Sequence, residues 1–169
     1  MKSKYSIDYK IVSGRVHHTL IYGKNDVKYY KKGEFNLLAI TEIEDINGTK
    51  FWHKEGWLHR EDGPAIEYPY GTKYWYIEGN LHRIDGPAIE YSSGSKKWYI
   101  EGLLHREDGP AIEYNNGTKS WYKEDRLHRE DGPAVEHADG YKDYYYLDKK
   151  IECSSNEEYF KLLKLKAFW

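Results

Sequence analysis

A histidine, an arginine and an aspartate recur in fixed spacing within the segment Leu-His-Arg-x-Asp-Gly-Pro-Ala, which occurs four times at intervals of 23 residues. A histidine near a carboxylate suggests either a metal site or a general base that an acid orients. The recurring residues are His59, His82, His105 and His128; Arg60, Arg83, Arg106 and Arg129; and Asp62, Asp85, Asp108 and Asp131.

The repetition itself disfavours both kinds of chemistry. A metal ion needs three or four ligands within about 2–2.5 Å, and each copy supplies one histidine and one aspartate. If two strands separate neighbouring copies, their histidines lie roughly 9.5 Å apart and do not share an ion. No serine or cysteine recurs beside the histidine, since the one cysteine, Cys153, lies outside the copies. We therefore predict no catalytic residue, no metal site and no cofactor.

The alternative interpretation is a structural joint between hairpins. In this hypothesis the aspartate accepts hydrogen bonds from turn amides, and the arginine pairs with carboxylates of the neighbouring copy. The imidazole packs on a tryptophan or tyrosine of the next hairpin. An arginine–aspartate ladder would then set the register of the sheet.

Turn signals divide each copy into short strands. Asn47-Gly48, Asn116-Gly117 and Asp139-Gly140 are dipeptides favoured by two-residue hairpin turns, in which both residues have positive φ. Glu55-Gly56, Glu78-Gly79 and Glu101-Gly102 predict a second bend, and Asp-Gly-Pro predicts a third. Runs such as "PAIEY" and "KYWYI" between the turns are rich in residues that favour strands.

These patterns predict an all-β fold, an elongated and twisted antiparallel sheet of stacked hairpin repeats. We expect an N-terminal β cap over residues 1–24, a degenerate copy over 25–47 and the 23-residue repeats over 48–150. A short C-terminal capping helix is expected over 151–169, where Ser155 and Glu158 have the spacing of a capping box. Phe168 and Trp169 could alternatively form a docking tail.

The copies, with their pattern "WYxxGxLHRxDGPA", resemble the MORN repeat in the variant form found in bacteria, phages and giant viruses. The resemblance spans Asn25 to about Lys150 and is strongest from Gly48 to Asp139. It implies a twisted antiparallel sheet that works as an interaction scaffold and has no enzymatic activity.

Two aromatic columns run along the copies. Since adjacent residues of a strand point to opposite faces, one column should face the core and the other the surface. We expect the tryptophans in the core, while the tyrosines would form a stacking face for a sugar or a peptide. The tryptophan column is Trp52, Trp75, Trp98 and Trp121, and the tyrosine column is Tyr76, Tyr99 and Tyr122.

Positions that differ between copies are expected to face solvent and to select a partner. Trp57 has Asn80, Leu103 and Arg126 as its equivalents, so it is the leading candidate anchor. Packing against the N-terminal cap is the alternative for this side chain. Tyr74 is a second leading candidate anchor, and Leu103 is a lesser one.

Composition narrows the classes of partner. The net charge is −2 with both signs mixed, which disfavours nucleic acid, and there are 18 Tyr and 6 Trp but only 4 Phe. With no signal-peptide pattern and no apolar run of membrane-spanning length, we expect a cytoplasmic protein with no membrane partner. The sequence leaves homo-oligomerisation open.

A non-enzymatic protein–protein interaction module is the leading functional hypothesis. By analogy with the viral relatives, it could be a phage or viral protein that binds and inhibits a host defence factor. The alternatives are a carbohydrate-binding module that uses the aromatic columns, and an antitoxin-like or virion-structural protein.

Overall fold

The computed structural model of the protein describes residues 6–12, 15–21, 41–44 and 47–166. The chain divides into two compact units, Met1–Asn80 and Leu81–Trp169. Short antiparallel strands make up nearly all of the regular structure, together with one helix near the C-terminus, α1 (Asn156–Lys166). The prediction of an all-β fold of antiparallel hairpin repeats with a short C-terminal helix is confirmed.

The first unit holds an N-terminal hairpin and a small sheet. Its strands are β1 (Ser6–Val12), β2 (Arg15–Ile21), β3 (Thr41–Glu44), β4 (Lys50–Lys54), β5 (Trp57–Leu58), β6 (Ile66–Glu67), β7 (Lys73–Tyr74) and β8 (Tyr76–Ile77), and β9 (Asn80–Leu81) spans the boundary. Strands β1 and β2 pair along their whole length as a separate sheet, which agrees with the strands predicted before residue 24. The order β3-β4-β6-β7 forms the small sheet, and β5 folds back onto β4. The degenerate copy predicted over 25–47 lies mostly outside the described residues.

The second unit repeats this arrangement and ends in the helix. Its strands are β10 (Ile89–Glu90), β11 (Lys96–Lys97), β12 (Tyr99–Ile100), β13 (Leu103–Leu104), β14 (Ile112–Glu113), β15 (Lys119–Ser120), β16 (Tyr122–Lys123), β17 (Arg126–Leu127), β18 (Val135–Glu136), β19 (Lys142–Tyr146) and β20 (Lys149–Ile151). The order β10-β11-β14-β15-β18-β19-β20 forms one antiparallel sheet. The hairpins β12-β13 and β16-β17 are separate two-stranded sheets.

Glutamates and lysines face each other across the strands of this sheet. Lys96 pairs across the strands with Glu90 and Glu113, and Lys119 pairs with Glu113 and Glu136. Opposite charges on facing positions favour one register, because a slip by one residue would place them against apolar partners. The prediction that an arginine–aspartate ladder sets the register is wrong. The charged residues that face each other across these strands are the glutamates of the recurring "AIE" segments and the lysines of the "GxK" segments.

The outer turns differ from the prediction of two-residue turns at Asn116-Gly117 and Asp139-Gly140. Tyr114 donates its N–H to the Thr118 carbonyl (2.9 Å), and Gly117 donates to the Tyr114 carbonyl (3.0 Å), so three residues form the loop. Among them only Gly117 has a positive φ, of 93°. This is the three-residue hairpin loop that ends in a glycine bulge, and it repeats at residues 68–72, 91–95 and 137–141.

The two-residue turns lie at the inner bend, where the glutamate–glycine dipeptides predict one. Between β12 and β13, Glu101 and Gly102 have φ of 51° and 83°. Positive φ at both positions defines the type I′ turn, whose twist matches that of the flanking strands. The fourth copy has Glu124 and Asp125 there, and the Asp125 carboxylate accepts the Leu104 N–H (2.7 Å).

Helix α1 covers the last hairpin. Its fully buried Tyr159 packs on Tyr144 (ring centroids 5.0 Å apart) and on Ile151, and its hydroxyl donates to the Arg129 carbonyl. Burial raises the pKa of Tyr159 to about 12. The helix therefore closes the open end of the second unit, as a capping helix should.

The capping box of this helix forms only in part. Ser155 Oγ accepts the Glu158 N–H (3.2 Å), as predicted, but the Glu158 carboxylate accepts hydrogen bonds from the N–H (2.8 Å) and hydroxyl (2.9 Å) of Ser154. These bonds lower the pKa of Glu158. Phe168 and Trp169 lie outside the described residues. In the part of the chain that is described, no helix is both long enough and apolar enough to cross a membrane.

Candidate functional site

Each copy folds its Arg-x-Asp-Gly-Pro segment around the arginine side chain. We call these segments, at residues 60–64, 83–87, 106–110 and 129–133, the arginine loops. In the third, Arg106 Nε donates to Asp108 (2.8 Å), while Nη1 donates to the Pro110 carbonyl (3.3 Å) and to Glu113 (3.2 Å). The second and fourth loops repeat all three hydrogen bonds.

The arginine also fixes the neighbouring residue types. The Arg106 guanidinium carbon lies 4.1 Å from the centroid of the Trp98 ring, within cation–π range. A Cβ atom at Gly109 would lie 2.9 Å from the same carbon. Glycine is therefore favoured there, because a side chain would displace the guanidinium from its contacts.

The arginine loops leave little positive charge for a ligand. The hydrogen bond from Arg106, and its charge, lower the pKa of Asp108, and Arg60 and Arg83 do the same to Asp62 and Asp85. Each aspartate is thus ionised at neutral pH and compensates its arginine. The prediction that the arginine pairs with the neighbouring copy is wrong, because Asp108 and Glu113 belong to the same copy as Arg106.

The histidines make the contacts between copies. His59 Nδ1 accepts the N–H of Glu78, 19 residues later (3.2 Å), and His82 accepts from Glu101 in the same way (3.2 Å). An Nδ1 that accepts requires the proton of a neutral imidazole to lie on Nε2. In the first copy Nε2 faces the Glu61 carboxylate (3.2 Å). His128 accepts the N–H of Leu147 likewise (3.3 Å), so these three histidines each connect their loop to the inner turn of the next copy.

Packing of the imidazole on an aromatic ring of the next hairpin is observed in the fourth copy. The rings of His128 and Tyr146 meet edge to face with centroids 4.7 Å apart. Within residues 6–12, 15–21, 41–44 and 47–166, no three His, Cys, Asp or Glu residues are grouped so that they could hold a metal ion.

The aromatic columns do not divide into a core face and a surface face. Trp52 is buried, but the tryptophans of the later copies are half-buried, and so are Tyr76, Tyr99 and Tyr122. Regular strand structure is interrupted at Trp98, which lies between β11 and β12, and in the same way at Trp75 and Trp121. Strict alternation holds only along a continuous strand, so it fails in these copies.

The candidate anchors lie at different depths. Trp57 is 50% exposed, and its ring packs on the next inner turn, where a Cβ at Gly79 would lie 2.7 Å from the ring. Leu103 is also exposed, whereas Tyr74 is half-buried and meets Tyr68 edge to face (5.8 Å). The prediction that variable positions face solvent is wrong at Ser120. This residue is buried and pairs across the strands with Ile112 and Val135.

Several exposed apolar residues were not predicted as anchors, and Ile84 is the most exposed of those that the structure describes. Ile84 is 85% exposed in the second arginine loop, at the position of Glu61, Glu107 and Glu130 in the other copies. The signal was the single copy that reads "LHRIDGPA". Glutamate suits an exposed position, so an isoleucine at this one copy suggests that its apolar side chain contacts a binding partner.

Two open grooves lie between successive arginine loops of the second unit. The groove between the second and third loops has a volume of about 810 Å³, and that between the third and fourth about 770 Å³. Ile84 and Ile100 line the former, while Glu107 and Lys123 occupy the equivalent positions of the latter. We refer to them as the apolar groove and the charged groove.

No protein-family model matches the chain, and no curated protein matches it. The function must therefore be inferred from the geometry of the chain.

Proposed function

We propose that the protein is a non-enzymatic interaction module that binds another protein through exposed side chains on a rigid repeat framework. The observation that carries the proposal is a division of labour between positions. The recurring arginines, aspartates and histidines are engaged in contacts within the chain, whereas large exposed apolar side chains stand where the copies differ. The exposed residues at such positions include Trp57, Tyr70, Ile84, Leu103 and Tyr141.

Binding to a protein fits this division better than catalysis. A catalytic histidine needs an imidazole nitrogen that can exchange a proton with a substrate. In the first copy Nδ1 accepts the Glu78 amide and Nε2 faces Glu61, so both nitrogens of His59 are engaged. Exposed Trp and Tyr side chains, by contrast, are typical anchors of protein interfaces.

The resemblance to MORN-like repeats supports a scaffold role. A narrower version of the proposal, suggested by the phage and giant-virus proteins that contain such repeats, is that the partner is a host defence factor in the cytoplasm. It rests on that resemblance alone and is decided by identifying the partner.

The test begins with capture of partners from a lysate of the source organism by the immobilised protein, followed by mass spectrometry. The captured protein is then purified, and its affinity for the chain is measured by calorimetry. We expect direct binding with a dissociation constant in the micromolar range or tighter. A captured protein that shows no binding after purification would contradict the proposal.

An alanine scan separates a protein partner from a sugar. For a protein partner, replacing Trp57, Tyr74 or Leu103 should have uneven effects, and at least one should cost about 2 kcal/mol or more. For a sugar, Tyr76, Tyr99 and Tyr122 should contribute about equally, and a glycan array should give strong signals. Equal losses along the tyrosine column would favour the carbohydrate-binding alternative.

A further inference from the structure

We propose that the apolar groove is the docking site for a basic segment of the partner protein that inserts one aliphatic side chain between Ile84 and Ile100. The inference rests on the proposed function, because it names the kind of partner and the place where it binds. The groove is formed entirely by residues of the second unit.

The walls of the groove supply the apolar part of the site. Ile84, Trp98 and Ile100 line it, and the loop residue Pro87 adds further apolar surface. The 85% exposure of Ile84 means that nearly all of its apolar surface is available to a partner. Burial of that surface would contribute to binding in proportion to its area.

The rim supplies the charge. Asp85, Glu107 and Asp108 have side chains that are 83%, 93% and 83% exposed. The two arginines of the groove, Arg83 and Arg106, are each paired with an aspartate and with a glutamate of their own copy, and are only 23% and 21% exposed. A partner therefore meets carboxylates first, which favours lysine or arginine beside its aliphatic residue.

The charged groove is an internal comparison on the same backbone. Its loops, its tryptophan and its arginines are equivalent to those of the apolar groove, but Glu107 and Lys123 replace the two isoleucines. Exchanging Ile84→Glu and Ile100→Lys would install residues that the fold already accommodates at these positions. The double variant should therefore fold and lose only the apolar walls.

The experiment uses short synthetic peptides and the full chain with labelled isoleucine methyl groups. One peptide has a central leucine between lysines, a second has the leucine between glutamates, and a third has a serine between lysines. We expect the first to shift the methyl signals of Ile84 and Ile100 and to bind at least about tenfold more tightly than the other two. Similar affinity for all three peptides, or no binding, would overturn the proposal.

The double variant Ile84→Glu/Ile100→Lys should weaken binding of the lysine–leucine peptide at least about tenfold. A matched control is Tyr141→Thr, which removes an exposed aromatic residue outside the groove and installs the residue type of Thr49, Thr72 and Thr118. It should leave the affinity unchanged. Undiminished peptide binding by a folded double variant would overturn the proposal.

The same variant separates failure of the groove from failure of the proposed function. If the double variant binds the purified partner protein as tightly as the unaltered chain, the interaction module stands and the groove is wrong. If the unaltered chain binds no purified partner, the proposed function itself fails.

Discussion

At the residue scale, the arginine carries more of the structure than the histidine that first suggests chemistry. One guanidinium contacts a tryptophan face, an aspartate, a proline carbonyl and a glutamate, all in its own copy. A lysine cannot replace it, because a single ammonium lacks the planar fork that reaches several acceptors at once. Arginine, tryptophan and glycine must therefore recur together.

Gly109→Ala tests this arrangement directly. Since its Cβ would lie 2.9 Å from the Arg106 guanidinium, we expect a destabilisation of about 1–3 kcal/mol in urea unfolding. In an Arg106→Ala background, the same glycine substitution should cost much less, because the space is then empty. Equal costs in both backgrounds would show that the loop backbone, and not the guanidinium, requires glycine.

His53 gives the first unit a pH dependence in the mildly acidic range. It replaces the tyrosine of Tyr76, Tyr99 and Tyr122, its ring stacks on Phe51, and its buried Nδ1 has no hydrogen-bond partner among the described residues. Burial lowers its pKa from 6.5 to about 4. The unfolded chain then binds a proton that the folded chain excludes between those two values.

Stability should therefore fall as the pH drops from about 6.5 to about 4, with a slope of up to about 1.4 kcal/mol per pH unit for this residue. His53→Tyr should remove this part of the pH dependence in unfolding measured at pH 7, 5.5 and 4.5. Asp62, Asp85 and Asp108 act in a more acidic range, because their lowered pKa values stabilise the fold until they protonate. An unchanged slope in His53→Tyr would contradict the assignment.

At the scale of the elements, the inner turns hold non-glycine residues in a conformation that costs energy. Glu101 has φ of 51°, in the left-handed region, where asparagine and glycine are better tolerated. The position recurs as Glu55, Glu78 and Glu124. In the second unit its amide donates to His82, which gives the turn a role in the contact between copies.

Glu101→Asn should stabilise the protein by about 0.5–1 kcal/mol, because Asn-Gly is the preferred dipeptide of this turn. Thermal unfolding followed by circular dichroism measures the gain. A matched control is Glu107→Asn in the exposed part of an arginine loop, which should change stability by less than about 0.5 kcal/mol. A loss of stability in Glu101→Asn would mean that the glutamate side chain makes a contact worth more than the strain.

The sequence predicts the elements better than it predicts their contacts. The 23-residue period and the turn residues give the hairpins, the order of strands and the capping helix. They do not tell a two-residue turn from a three-residue loop, because Asn-Gly serves in both. Nor do they reveal whether Arg106 reaches Asp108 or a neighbouring copy, since that depends on how the loop folds back.

The sequence predicts some residues of the candidate site, but it does not predict which of them lie close together. The exposed positions of Trp57 and Leu103 follow from their variation between copies. Ile84 was visible as one altered letter, but its importance depends on a groove that only the packing of successive loops creates. Sequence variation indicates which positions face outward, while the structure indicates which of them lie together.

At the scale of the whole molecule, the chain must end its repeats without exposing an open strand. Within the second unit, α1 does this by placing Tyr159 against Tyr144 and Ile151. The hydroxyl of Tyr159 donates to the backbone carbonyl of Arg129, in the last arginine loop. The helix thus supplies both apolar cover and a polar contact at the position where another copy would pack.

Two substitutions at Tyr159 separate these contributions. Tyr159→Phe keeps the packing and leaves a carbonyl without its donor, so it should cost about 0.5–1.5 kcal/mol. Tyr159→Ala also opens a cavity and should cost about 3–5 kcal/mol.

In a repeat array, stability is a sum over neighbouring copies, so the loss of stability caused by Tyr159→Ala should decrease with distance along the chain. Hydrogen exchange should therefore show the largest loss of protection in β19 and β20 and a smaller loss in β14 and β15. Equal loss in all strands of the second unit would show instead that the unit unfolds in one cooperative step.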